Sequence, residues 1–178
     1  MTDEEKLIVK GCKINDRNAQ RVFYRTFYGY AMSICLRYSN SRMEAEEIIN
    51  DGFLKVFSKI SSFDLDLEIK SWMRRVFVNT AIDHFRKNKK HNNQDDIVEA
   101  RSVSSQEEDV LDHLSAEEIM KLVQNLAPSY QIVFNLYVVE GFKHHEIADL
   151  LNISEGTSKS NLAKGREKLK KVLTENTY

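Results

Sequence analysis

Residues 141–171, GFKHHEIADLLNISEGTSKSNLAKGREKLKK, carry the strongest structural signal in this chain. Apolar residues recur at helical spacing on both sides of the segment LNIS at residues 151–154, so two short helices are predicted to meet there. Asn152 tolerates the left-handed backbone that ends a helix, and Ser154 is a favourable cap for the next one. The pattern is typical of a helix-turn-helix.

The second of these helices carries polar and basic side chains on its first turns. Leu162, Leu169 and Val172 predict its buried stripe. The side chains left to face outward are Thr157, Lys159, Ser160, Asn161, Lys164 and Arg166. A solvated helix surface is also rich in lysine, but six Lys or Arg accompany only one acid between residues 159 and 171. We therefore expect this helix to contact the major groove of DNA.

Composition restricts the class of protein. A chain of 178 residues allows one or two domains, and six Gly with a single Pro favour helices throughout. Cys12 and Cys35 have no metal or redox spacing, and the longest apolar runs are shorter than a membrane span. We expect a cytoplasmic protein with reduced thiols, no cofactor and no direct membrane insertion.

The first third of the chain predicts two helices with a break at residues 15–16 and then a third helix. Leu7 and Val22 take part in the apolar spacing of the first two, whose aromatic residues we interpret as core rather than as a stacking platform. The third helix repeats Glu44, Glu47 and Asp51 on one face. A solvated face or a metal site would also use carboxylates, but no His or Cys supports a metal, so we expect an acidic face for a basic partner.

Residues 69–90, IKSWMRRVFVNTAIDHFRKNKK, predict a second basic helix. Seven Lys or Arg stand against Asp83 alone between residues 70 and 90. The apolar stripe of this helix directs Arg75, Asn79 and Arg86 outward together.

The composition of the chain changes after the second basic helix. Nine acids accompany one Arg between residues 95 and 118, which predicts a flexible acidic linker over residues 93–112, either a solvated tether or a screen for the basic faces. Helical periodicity then returns, so residues 113–178 are predicted to form a compact four-helix domain containing the helix-turn-helix. The expected fold is all-α, with two small helical domains, residues 1–92 and 113–178, joined by the linker.

Four strings, in this order, resemble the extracytoplasmic-function (ECF) subfamily of bacterial RNA polymerase sigma factors: AEEIINDGFLKVF, IKSWMRRVFVNTAIDHFRKNKK, LAPSYQIVFNLYVVEGFKHHEIADLLNIS and EGTSKSNLAKGREKL. The resemblance implies an alternative sigma factor that binds bacterial core RNA polymerase and promoter DNA and directs transcription initiation without catalysis. It implies a region 2 domain over residues 1–92 and a region 4 domain over residues 113–178. It also implies an anti-sigma factor as a partner and a monomer when the protein is free.

The resemblance assigns roles to three sets of residues. The core polymerase-binding set is Glu46, Glu47, Asp51, Phe53 and Phe57. The set that recognises and melts the minus-ten element is Phe63, Lys70, Ser71, Arg75, Asn79, Arg86 and Lys87. The set for the minus-thirty-five element is His144, His145, Thr157, Lys159, Ser160, Asn161, Lys164 and Arg166. Asn79 matches the family's base-contacting asparagine, residues 63–71 match the loop that cups a flipped base, and Trp72 is expected beneath that loop.

Four residues of the helix that follows the turn depart from the family. Ser158 stands where an apolar residue is usual, and Gly165 replaces a more usual alanine at a cost of about 1 kcal/mol in helix propensity. We therefore expect a less rigid helix. Asn161 and Ala163 also differ from the commonest family residues, so the resemblance does not imply a particular duplex sequence. His144 and His145 are adjacent, but no further ligands at zinc spacing accompany them, so no metal is expected.

Two other functions are consistent with parts of this pattern. A dimeric helix-turn-helix repressor or activator would bind a palindromic site and use its first domain for dimerisation or sensing. The basic helix at residues 69–90 argues against it, because a sensing domain needs no second surface for DNA. A nucleic-acid hydrolase built on Glu44, Glu47 and Asp51 would need a divalent metal, and no converging histidines support one.

Overall fold

The computed structural model describes residues 1–91 and 116–175, and the predicted all-α fold is confirmed in them. The helices are α1 (Asp3–Lys13), α2 (Arg17–Cys35), α3 (Arg42–Lys59), α4 (Ile69–His91), α5 (Ala116–Gln124), α6 (Pro128–Phe134), α7 (His144–Leu151) and α8 (Glu155–Glu175). The chain divides into two compact units between His84 and Phe85, within α4. The predicted linker at residues 93–112 lies outside the described residues.

Hydrogen-bonded caps determine where the first two helices begin. The Glu5 N–H donates to Thr2 Oγ1 over 3.1 Å and the Thr2 N–H donates to Glu5 Oε2 over 2.9 Å, which together form a capping box at the start of α1. The chain leaves α1 through Asn15 at φ 59°, and the Asp16 carboxylate then accepts the Asn18 and Ala19 N–H groups at the start of α2. The predicted break at residues 15–16 is confirmed.

The core of the N-terminal unit forms where α2, α3 and α4 converge. The Phe53 ring on α3 lies 4.5 Å from Tyr24 and 5.3 Å from Phe77, measured between ring centroids. Gly52 makes the closest approach between helices possible, because a Cβ at this position would collide with the Phe77 ring. Large aromatic side chains and one missing side chain therefore set the distance between α3 and α4.

Some residues expected in the core lie at the surface. Leu7 of α1 and Val22 of α2 are exposed, although Val9 and Phe23 beside them are fully buried. Apolar residues occur at helical spacing on two sides of α1 and α2, and only one of these sides packs against the core. In α8, Val172 is exposed and the neighbouring Leu173 is buried in its place, because the helix presents the adjacent position to the core.

The C-terminal unit contains α5 to α8 in its described part. Pro128 opens α6, as expected for a residue with no backbone N–H to satisfy. The predicted helix beyond Phe134 continues as a π-helical turn over Asn135–Val139, in which the Glu140 N–H donates to Asn135 O over 3.0 Å. Gly141, at φ 78°, then turns the chain into the segment before α7.

We predict that Gly52→Ala destabilises the protein by about 1–3 kcal/mol, because the added methyl group must displace the buried Phe77 ring. The free energy of unfolding, measured by denaturant titration, tests this. Gly29→Ala is the matched control, since Gly29 lies on the exposed side of α2 with no heavy atom within 4 Å of the new methyl group. It is expected to stabilise α2 by about 0.5–1 kcal/mol through helix propensity. Equal effects of the two changes would contradict the packing argument.

Candidate nucleic-acid interface

The turn between α7 and α8 has the predicted geometry. Asn152 adopts the left-handed conformation at φ 52° and ψ 55°, and its N–H donates to the Ala148 carbonyl, which ends α7. The Ser154 hydroxyl oxygen accepts the Thr157 N–H over 3.0 Å and lies 2.8 Å from the Thr157 hydroxyl. The predicted cap is therefore confirmed, and it fixes the direction in which α8 leaves the turn.

The outward face of α8 is narrower than the sequence predicted. Thr157, Lys159 and Arg166 are exposed and Lys164 is half-buried. Asn161, however, is only 5% exposed. It follows Ser158 by three residues and precedes Gly165 by four, and since both of these are buried, Asn161 lies on the packed side of the helix.

Ser160 also differs from expectation. Its side chain is half-buried, and its hydroxyl oxygen is inaccessible and has no hydrogen-bond partner in the described structure. The Asn161 amide and the Ser160 hydroxyl are therefore not presented to a ligand in this conformation. Among the candidate residues of this helix, those with accessible polar groups are Thr157, Lys159, Lys164 and Arg166.

The unusual Ser158 has a specific partner. It is fully buried, and its Oγ lies 3.0 Å from Nδ1 of His144 at the start of α7. A buried hydroxyl needs such a partner, because an unpaired one costs about 1–3 kcal/mol. The bond joins the first turn of α7 to the first turns of α8. The departure from an apolar residue thus provides a polar link between the two helices.

Tyr137 extends this link on its other side. Its ring stacks on the His144 ring at a centroid distance of 4.5 Å and an interplanar angle of 23°. The Arg166 guanidinium carbon lies 5.9 Å from the centroid of the same Tyr137 ring. Arg166, Tyr137 and His144 therefore form one layered cluster at the edge of α8. The sequence did not indicate this role for Tyr137.

The cluster controls the charge of His144. Partial burial lowers the pKa of its imidazole, and Lys159 and Arg166 lower it further by repelling the protonated form, whereas Glu155 acts in the opposite direction. Lys159 itself forms an ion pair with Glu155, with 2.8 Å between Nζ and Oε1. This exposed i, i+4 pair lowers the pKa of the Glu155 carboxyl and orients Lys159 along the helix surface. His145, by contrast, is exposed.

A second basic surface lies on α4. All six candidate residues of this helix are exposed, as predicted: Lys70, Ser71, Arg75, Asn79, Arg86 and Lys87. Asp83, the one acid between residues 70 and 90, is paired with Lys55 of α3 at 2.8 Å between Nζ and Oδ2. Its charge is thus directed toward α3, and Arg75 and Asn79 share the remaining outward face.

Phe63, the remaining candidate of the minus-ten set, is not accessible. It is 3% exposed, and its ring lies 5.0 Å from the Trp72 ring between centroids. An aromatic residue next to a polar loop gains more from burial than from exposure, so Phe63 anchors the loop rather than presenting a surface. Trp72 lies against Phe63, beneath the loop as expected.

The acidic face of α3 also needs a correction. Glu47 and Asp51 are exposed and Glu46 pairs with Arg42 at 3.0 Å, but Phe53 is only 2% exposed within the aromatic core. Phe57 is half-buried, with its ring 5.8 Å from Phe23 and 6.1 Å from Phe53. The Phe53 and Phe57 rings pack on the core side of α3 and do not form an accessible surface.

Two apolar residues that the sequence did not single out occupy that face instead. Met43 is 72% exposed and Leu54 is 68% exposed. They are separated by eleven residues, or three turns, and Glu47 lies between them on the same side of α3. The signal was present in the sequence, since large apolar residues stood outside the predicted inward stripe.

Nothing in the described residues indicates metal chemistry or membrane insertion. No three His, Cys, Asp or Glu side chains in residues 1–89 and 120–174 are placed to hold a metal ion. The helices of the described ranges include none long and apolar enough to cross a bilayer. Glu44 is occupied structurally, since its carboxylate accepts the Asn40 N–H at 2.8 Å and lies 3.6 Å from His84.

Comparison with known proteins gives two family matches. Residues 23–91 match the model of Sigma-70 region 2, and residues 116–169 match that of Sigma-70, region 4. The ECF RNA polymerase sigma factor SigW of Bacillus subtilis is 26% identical over 176 residues, covering 93% of this chain and 94% of SigW. The RNA polymerase sigma factor SigV of the same organism is 28% identical over 149 residues, covering 83% of this chain and 84% of SigV.

The fold agrees with a solved structure of the same class. The sigma factor RpoE of Bartonella quintana, in complex with the anti-sigma factor NepR, matches with a TM-score of 0.50 and 20% identity, over 86% of this chain and 96% of that one. This likeness concerns the fold alone. Both halves of the chain match sigma factor regions, and the relatives match along nearly its whole length. The chain therefore belongs to the ECF RNA polymerase sigma factors and, as an alternative sigma factor, directs transcription initiation.

Proposed function

We propose that this sigma factor divides promoter recognition among three helix faces. Its α3 docks on core RNA polymerase, α4 with the preceding loop opens the minus-ten element, and α8 reads the minus-thirty-five element as duplex. The observation that carries the proposal is the segregation of exposed charge. Carboxylates face outward on α3, whereas the accessible groups of α4 and α8 are mostly cations, hydroxyls and amides.

For the minus-thirty-five element, we assign base contacts to Lys159 and Lys164 and backbone contacts to Thr157, Arg166 and the two histidines. The assignment omits Ser160 and Asn161, whose polar groups are covered. The second helix of a helix-turn-helix enters the major groove with its N-terminal residues, where Thr157 and Lys159 lie, and Lys164 and Arg166 follow further along α8. Arg166 is held over Tyr137, which reduces the entropy that it loses on binding a phosphate.

For the minus-ten element, α4 supplies exposed cations for phosphates, and Asn79 supplies an amide for a base edge. Strand opening requires a protein that holds the unpaired strand better than the duplex. The exposed loop before α4, residues 64–68, is assigned as the cup for a flipped base. Phe63 and Trp72 then serve as the support beneath it.

For core polymerase, we assign the face formed by Met43, Glu47, Asp51 and Leu54. Apolar residues that flank carboxylates resemble the anatomy of a protein interface, where apolar contacts give affinity and charges give specificity. Because a sigma factor is an initiation factor, the chain is not an enzyme, and the hydrolase interpretation of these carboxylates no longer applies. The dimeric repressor interpretation is likewise replaced.

The cellular setting follows from the same assignment. We propose a cytoplasmic protein that is a monomer when free, consistent with helices too short or too polar to cross a bilayer in the described ranges. We also propose an anti-sigma factor as its regulatory partner, since the sigma factor of the matched structure is bound to one.

We predict that Lys159→Ala with Lys164→Ala lowers transcription from a two-element promoter by at least about tenfold, since a base-edge contact contributes about 1–3 kcal/mol. Binding to core polymerase is expected to remain unchanged. Run-off transcription and a core-binding titration measure the two effects. Lys170→Ala with Lys171→Ala removes the same charge further along α8 and serves as the control. If both double variants lost transcription equally, Lys159 and Lys164 would contribute only positive charge and no base contact.

For the docking face, Asp51→Arg with Leu54→Ser is expected to weaken binding to core polymerase by about tenfold or more, because it reverses a charge and removes an apolar contact. Both side chains are exposed, so the fold is expected to persist. Leu7→Ser is the control, since Leu7 is equally exposed but lies on α1. Unchanged core affinity of the double variant would rule out this face.

The His144 cluster predicts a pH dependence of DNA binding. The lowered pKa keeps His144 neutral in the free protein, whereas a nearby phosphate favours the protonated form. Binding therefore takes up a proton, so affinity rises as the pH falls and levels off below the pKa of the free state. Titration of the holoenzyme with a labelled minus-thirty-five duplex across pH measures this, with His144→Gln as the control. The same pH dependence in His144→Gln would show that another group is responsible.

A further inference from the structure

The loop before α4 forms an exposed arch between two buried ends. Phe63 at its start and Ile69 at its end are buried, whereas Asp64, Asp66 and Leu67 between them are exposed. The arch is tightened from within, since the Asp66 N–H donates to Asp64 Oδ1 over 3.0 Å and the Leu67 N–H donates to Asp64 O over 3.2 Å. Its internal geometry is thus defined, and its position depends on contacts with other parts of the chain, which include the 2.9 Å ion pair between the Met1 ammonium and Glu68 Oε2 and the contacts at its two ends.

Side chains from the first two helices hold both ends. The Lys13 ammonium at the end of α1 donates to the Phe63 carbonyl over 2.8 Å in a partly buried contact. The Tyr30 hydroxyl of α2 donates to the Lys70 carbonyl over 3.0 Å. A charge-assisted hydrogen bond in a partly buried site is stronger than an ordinary one. Lys13 therefore connects the start of the arch to an element fifty residues earlier in the chain.

The position of Lys13 is itself well determined. Val9 and Cys12 on the same helix are fully buried, and the capping box fixes the other end of α1. Because Lys13 follows Cys12 directly, the packing of α1 determines where its side chain begins, and the bond to the Phe63 carbonyl locates its ammonium. The match to Sigma-70 region 2 starts at residue 23, so α1 lies outside it.

We propose that Lys13 is a positioning residue for minus-ten recognition, and that α1 is thereby part of the promoter-reading machinery. The inference rests on the assignment of residues 64–68 as the cup for a flipped base. A pocket discriminates between bases only when its walls are held to within about 0.5 Å. Without the Lys13 bond, the Phe63 carbonyl loses its charged donor and the arch gains freedom at its first end. The Phe63 ring remains packed on Trp72, so the domain keeps its fold.

The test compares base selectivity among variants of the full chain. Run-off transcription with core polymerase is measured on four promoters that differ only in the base at the flipped minus-ten position. Lys13→Met keeps the alkyl stem and removes the donor, so selectivity is expected to fall by about three- to tenfold. Lys13→Arg keeps a charged donor and is expected to restore most of it. Lys10→Met, an exposed lysine on the same helix, is the matched control and is expected to change nothing.

Melting temperature and core affinity are measured in parallel and are expected to stay at the wild-type values. If Lys13→Met does not fold, Lys13→Gln serves as a second variant that lacks the charged donor. The inference would be overturned if Lys13→Met and Lys13→Gln both kept the wild-type base selectivity. It would also be overturned if Lys10→Met lost as much selectivity as Lys13→Met. If Asn79→Ala loses selectivity while Lys13→Met does not, the role of α4 stands and only the positioning role fails. If the wild-type protein does not discriminate among the four promoters, the assignment of the arch fails, and the inference fails with it.

Discussion

The close contact between Gly52 of α3 and Phe77 of α4 is the constraint on which the N-terminal unit depends. It sets how closely α3 and α4 approach each other in the core. Side-chain pairs reinforce the contact, since Lys55 binds Asp83 and His84 lies 3.5 Å from Glu47. The exposed carboxylates of α3 and the exposed cations of α4 therefore belong to one small core.

In the C-terminal unit, polar groups join two of the helices. In its helix-turn-helix, the Ser158 and His144 pair joins the first turns of α7 and α8. Tyr137 covers the histidine and carries Arg166 on the same ring. Packing and charge placement are thus coupled, because the residues that hold the helices together also orient the cation at the edge of α8.

Three residues with expected contact roles are buried, and they have a common explanation. Phe53, Phe63 and Asn161 each lie near exposed candidate residues in the sequence, but their own side chains are buried. A motif match transfers a block of residues without separating those that touch a partner from those that support the block. The aromatic pair of Phe63 and Trp72 illustrates the supporting role, since it holds the loop from beneath.

Sequence patterns were sufficient to predict the all-α class, the break at residues 15–16, the turn at Asn152 with its Ser154 cap, and the outward cations of α4. These depend on local propensity, capping and helical period, which neighbouring residues are sufficient to specify. Which apolar residues of a helix are buried depended on the packing between helices, as for Leu7 on α1 and Val172 on α8. The tertiary structure alone also paired Lys13 with Phe63 and Ser158 with His144, because contacts between separate elements depend on how helices pack, and helical period carries no information about that.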